Sequence, residues 1–118
     1  MTNPKQFQVK ITDEFEDWFA GLKSAWQDEI DKTIHLLEHF GPAIPRNYSK
    51  PIEGSKIKHL CELRVQCQGH PIRILYAFDP TRTAILLLGG DKTGDGRWYV
   101  KNIRIAEKLY HEHLASLE

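Results

Sequence analysis

Residues 60–89 hold three apolar-rich segments separated by two short polar turns, and that spacing constrains the fold more than any other feature of the chain. In "LCELRVQC" (60–67), Cys61, Leu63, Val65 and Cys67 alternate with Glu62, Arg64 and Gln66. A period of two places the two sets on opposite faces of a strand. "IRILYAF" (72–78) puts Arg73, Leu75 and Ala77 on one face and Ile72, Ile74, Tyr76 and Phe78 on the other. "TAILLLG" (83–89) is apolar nearly throughout, which predicts a central strand covered on both faces. The linkers "QGHP" and "DPTR" are too short for a crossover, so the strands must run antiparallel.

The flanking segments read as one strand and three helices. "FQVKI" (7–11) alternates like a short half-buried strand. In "TDEFEDWFAGL", Asp13 and Glu16 have capping-box spacing, and Phe15, Trp18, Phe19 and Leu22 share one helical face. Ser24 and Gln27 suggest a second box, followed by a stripe of Trp26, Ile30, Ile34 and Leu37 that Gly41 and Pro42 stop. Residues 41–58 carry three prolines and two glycines and read as a long loop. "NIRIAEKLYHEHLASLE" (102–118) reads as a final helix with Ala106, Leu109, Tyr110, His113 and Leu117 along one side. The expected architecture is α+β in the order β-α-α-β-β-β-α. An N-terminal strand and a two-helix hairpin pack on one face of an antiparallel sheet, and the other face is left to solvent or a ligand. With 118 residues the chain has material for one core, hence one domain over 1–118.

Charge is neutral in sum but uneven along the chain. Residues 1–41 carry a net −4, residues 42–104 a net +6, and residues 105–118 a net −2. A polyanion would respond to the middle segment, because charges beyond about 8 Å are screened. Cys61 and Cys67 lie on one face of one strand, about 20 Å apart, too far for a disulfide. Free thiols, the absence of a leader pattern in "MTNPKQFQVK" and the lack of a long apolar run point to the cytoplasm and away from membranes.

The chemistry concentrates on the polar face of the strand pair. Arg64 and Arg73 sit on adjacent strands beside Glu62. Like charges opposite each other in a sheet destabilise it, so the pair needs a structural or a ligand counterion. Guanidinium groups match phosphate oxygens bidentately. The segment "GGDKTGDGRWY" adds Lys92, Arg97, Trp98 and Tyr99, with glycines that permit close backbone approach and aromatics that stack on bases. Lys56, Lys58 and His59 extend the cationic track, and His70 is a further titratable group in a turn. Two motifs read as decoys. "HLLEH" (35–39) has a metalloprotease spacing but ends a helix in an acidic segment, and "DKTGDG" lacks the ligands of a calcium loop.

The element order, "CELRVQCQGHPIRILYAF" and the strand leading into "GGDKTG" together resemble toxins of the RelE/ParE superfamily, in the HigB-like, phage-associated branch. The resemblance implies a RelE-like fold and a type II toxin that cleaves mRNA in the ribosomal A site without metal or other cofactor. It also implies a small helix-turn-helix antitoxin protein as partner. By position, Arg73 matches the strand arginine at the scissile phosphate, Arg64 a basic residue on the preceding strand, Lys92 the cation after the last strand, and Tyr99 or Trp98 the following aromatic. Glu62 is then the expected general base, and Lys92 or Tyr99 the acid. Lys56, Lys58, His59, Arg97 and Trp98 are the expected RNA contacts. The competing expectations are a ParE-like toxin that binds and inhibits DNA gyrase, and an inactive phage-derived remnant.

Overall fold

A computed structural model describes residues 6–118; the leader reading of residues 1–5 falls outside them. The elements are β1 (Val9–Ile11), α1 (Asp13–Ala20), α2 (Ser24–Phe40), β2 (Ser49–Pro51), β3 (Cys61–Cys67), β4 (His70–Phe78), β5 (Ala84–Asp91) and α3 (Trp98–Ser116). They build an α+β fold around a five-stranded sheet ordered β1-β5-β4-β3-β2. The expected meander β3-β4-β5 is antiparallel throughout. Two additions complete the sheet. The first strand joins β5 in parallel, its return made possible by the α1–α2 hairpin. Within the expected loop 41–58, the three-residue β2 pairs antiparallel with β3 at the edge.

The β3–β4 turn fixes the register. Cys67 pairs with His70 across Gln68 and Gly69, both at positive φ (52° and 83°), the signature of a two-residue hairpin turn with the primed twist. Counting outward from that turn sets Val65 against Ile72 and Arg64 against Arg73.

The helices cover both sheet faces, which corrects the expectation of one open face. On one side Phe15, Ile30 and Leu37 of α1 and α2 pack on Leu63, Val65, Ile72, Ile74, Tyr76 and Leu86. On the other, Trp98, Ala106, Leu109 and Tyr110 of α3 pack on Leu75, Ala77, Ile85 and Leu87, with Ile57 and Leu60 closing the end. The apolar run of β5 therefore serves two cores, as a strand buried on both faces must. Cys61 and Cys67 are both free thiols, as expected from their spacing.

Local signals at helix starts were misleading in three places. The N-cap of α1 is Thr12, one residue earlier than the Asp13 box; its Oγ1 accepts from the Phe15 amide at 3.1 Å and donates to the Leu87 carbonyl at 2.6 Å. The cap residue of α2 is Lys23 with no side-chain bond, and Gln27 instead donates to the Phe19 carbonyl at 2.9 Å, tying the two helices together. The last helix starts at Trp98, four residues ahead of the expected start, again without a capping side chain.

The adjacent glycines at the end of β5 let these helices dock. A Cβ on Gly89 would lie 2.3 Å from the Trp18 ring, and one on Gly90 would lie 2.7 Å from Trp98 Nε1. Each indole thus lies directly on the strand, one on each side of the sheet.

Candidate active site

Glu62, Arg64 and Arg73 share the sheet face that α3 covers, near the helix N-terminus. Arg64 and Arg73 are direct cross-strand partners, the arrangement that like charges resist. Glu62 holds them together: its Oε1 is 3.8 Å from Nε of Arg64 and 3.8 Å from Nε of Arg73. Its Oε2 accepts the Tyr99 hydroxyl at 2.6 Å. Three side chains, from β3, β4 and α3, therefore converge on one carboxylate.

Burial makes this cluster unusual. The side chains of Arg73 and Glu62 are 7% and 8% exposed, while that of Arg64 is 33% exposed and reaches solvent. Arg73 donates from Nη1 to the Ile72 carbonyl at 3.0 Å, but its buried Nε has no hydrogen-bond partner. The Glu62 oxygen attracts that Nε electrostatically and is too distant to bond it. An unbonded buried donor costs about 1–3 kcal/mol, so the pair is held here at a cost to stability.

Tyr99 and Lys92 complete the constellation. The Tyr99 phenol is pushed above its ordinary value of 10.0, first by burial and then by the Glu62 carboxylate, with Arg73 working in the opposite direction. Its protonated form is thereby favoured. Lys92 Nζ lies 5.6 Å from the centre of the Tyr99 ring, and the Lys92 amide donates to the Pro71 carbonyl at 3.1 Å. Arg64, Arg73, Glu62, Lys92 and Tyr99 are thus brought together. Hollows flank them on two sides: one of about 210 Å³ bordered by Asn47, Arg64, Gln66 and Arg73, and one of about 650 Å³ bordered by Tyr99, Lys56 and Arg104.

The remaining expected contacts divide. Lys56 borders the larger hollow. Trp98 is 5% exposed and packs in the α3 core, edge-on to Tyr99 at 5.2 Å, so it supports the site from behind and has little ring surface to offer a base. Correspondingly, Gly89 and Gly90 make room for tryptophans; within that loop only Gly94 takes a positive φ, 66°. Arg97 and Lys58 are exposed and have no described side-chain contact with the cluster. His59 lies edge-on to Tyr110 at 6.2 Å and borders a different hollow with Cys61, Tyr76 and Phe78. His70 faces the opposite side of the sheet, with Nδ1 2.7 Å from Asp91 and its ring 5.0 Å from Trp26. Asn47, Gln66 and Arg104 were not foreseen. Only Gln66 left a trace in the sequence, through its alternation with Arg64. Among the described residues no group of three metal-binding side chains comes together, and "HLLEH" lies along α2.

The family model for phage-derived Gp49-like proteins matches residues 17–111. The chain is 39% identical over 103 residues to HigB2 of Mycobacterium tuberculosis, a match covering 86% of this chain and 51% of that protein, so it spans about half of that relative's length. It is 42% identical over 109 residues to HigB3 of the same organism, covering 92% of this chain and 94% of that one. Both relatives are named as toxins. Among solved structures, the archaeal RelE–RelB complex from Pyrococcus horikoshii matches with a TM-score of 0.56 at 17% identity, covering 76% of this chain and 98% of that chain, a likeness of fold.

Proposed function

The chain belongs to the phage-derived Gp49-like family and is a HigB/RelE-type toxin of a toxin–antitoxin system, and from that premise we propose that it is an endoribonuclease acting on mRNA in the ribosomal A site. The observation that carries the proposal is Arg73: a buried guanidinium beside a second arginine, with one donor unbonded. A phosphodiester supplies a counterion for the arginine pair, which reaches solvent through Arg64.

The chemistry follows from what surrounds it. Glu62 takes the proton from a ribose 2′-OH, and the freed oxygen attacks the adjacent phosphorus. Arg64 and Arg73 stabilise the added negative charge, the kind of preorganised electrostatic stabilisation that dominates such reactions. Tyr99 donates its proton to the departing 5′-oxygen, leaving a 2′,3′-cyclic phosphate and a free 5′-hydroxyl. Lys92 above the Tyr99 ring favours the transient phenolate. The proton on Glu62 then returns to Tyr99 through their 2.6 Å contact, which resets the pair. These side chains supply the whole reaction without a metal or other cofactor.

The same premise gives the protein a helix-turn-helix antitoxin as partner, with acidic residues to meet the arginine face. Induced expression followed by mapping of RNA 5′ ends tests the reading. New ends within translated codons, lost in Arg73→Ala of unchanged fold, are expected. DNA-damage signalling without RNA cuts would instead mark a gyrase inhibitor.

A further inference from the structure

Between α3 and the loop at residues 53–56 runs the groove of about 650 Å³, within the roughly 300–1,000 Å³ of small-ligand sites. Tyr99 is part of its lining, Val100 and Ile103 give it apolar surface, and Lys56 and Arg104 also border it. Val100 is 63% exposed and Ile105 48%, on a helix whose Trp98, Ala106, Leu109 and Tyr110 are buried. Two carboxylates also border the groove. Glu107 is engaged within the protein, accepting the Lys56 amide at 2.6 Å and the Ser55 hydroxyl at 3.0 Å, and thereby pins the loop in place. Glu53 lies exposed at the margin.

We propose that this groove is the subsite for the nucleotide immediately 3′ of the cut, with its base on Val100 and Ile103 and its outgoing phosphate between Lys56 and Arg104. The inference rests on the nuclease reading and gives it a polarity. The departing 5′-oxygen belongs to the 3′ nucleotide and must meet the proton donor. Tyr99 is that donor and also lines this groove, so the 3′ nucleotide lies on this side. The smaller hollow beside Arg64 and Arg73 is left for the 5′ side.

Ribosomes programmed with mRNAs that end one or three nucleotides beyond the mapped cut test this directly. The wild type should cleave the longer message with a KM lower by roughly tenfold, the scale of one charged contact. Arg104→Ala, at an exposed position, should remove that advantage while the short message, which lacks the outgoing phosphate, is cut as before. Val100→Asp disturbs the base contact that both messages make and should raise KM on both. Equal wild-type KM on both messages, an Arg104→Ala protein that keeps the preference, or a Val100→Asp protein with unchanged KM on both, would overturn the subsite and leave the nuclease reading intact. Should the wild type cut no RNA, NMR titration with a mixed-sequence 2′-O-methyl tetranucleotide still decides. Shifts at Val100, Ile103 and Arg104 uphold the groove as an RNA site; silence there, or shifts only with an antitoxin peptide, removes it.

Discussion

At the scale of single residues, Glu62 has two duties that mutation separates from those of Tyr99. It bridges two facing arginines and accepts a hydrogen bond from the phenol. Glu62→Ala leaves a buried guanidinium without its partner, a loss on the order of 3 kcal/mol for a broken buried pair. Urea denaturation should therefore show a lower midpoint alongside lost cleavage. Tyr99→Phe removes one hydroxyl and should cost only about 1 kcal/mol of stability, yet slow cleavage by roughly 10²–10⁴-fold if the phenol is the acid. The pH profile gives a second check. The acid must be protonated, and burial together with Glu62 raises the Tyr99 phenol above 10.0. Single-turnover rates should thus persist through the ordinary tyrosine range and fall only at higher pH, and that limb should vanish in Tyr99→Phe.

At the scale of elements, the ends of β5 and α3 decide whether the site assembles. Gly90→Val forces a side chain into the space of Trp98. An overpacked core loses about 1–3 kcal/mol, and the first turn of α3, which carries Tyr99, moves with the indole. Thermal melting should drop, and cleavage should fall although no proposed reacting group has changed. The β4–β5 turn has its own clamp. Asp79 accepts from the amides of Thr81 and Thr83, and its Oδ2 lies 2.8 Å from His113 Nε2 of α3. Burial works against the Asp79 carboxylate, but those bonds win and hold it at about 2, below its ordinary 3.8. A depressed folded-state value means stability that is fully present above pH ~4 and lost as pH falls toward ~2, on the order of 2 kcal/mol. Asp79→Asn should flatten acid unfolding in that window.

These elements also explain what the sequence could and could not disclose. The meander was legible because alternation and turn length are local, and the Gln68–Gly69 turn fixes which residues face each other. Thus Arg64 opposite Arg73 could be anticipated. The three-residue β2 was not, since Ser49–Pro51 has no pattern of its own and is a strand only by pairing with β3. Nor was the start of α3, because it has no capping side chain and Trp98 earns its helical position through tertiary burial.

At the scale of the whole molecule, the uneven charge along the chain becomes a difference between faces. The acidic N-terminal segment forms α1 and α2 on one side of the sheet, while Arg64, Arg73 and Lys92 converge near the start of α3 on the other. A neutral protein can therefore still present a cationic patch to a polyanion. Tyr99, which the sequence placed in a loop, is fixed by a helix, so the site is closer to preorganised than a glycine-rich flap would be. The most direct test of the central claim is the end-group chemistry of the cleaved message, made on purified ribosomes with and without a 2′-deoxy nucleotide at the cut. The unmodified message should yield a 2′,3′-cyclic phosphate and a 5′-hydroxyl, and the deoxy one should not be cleaved. Ends bearing 3′-hydroxyl and 5′-phosphate, or cutting that survives the deoxy substitution, would contradict that claim.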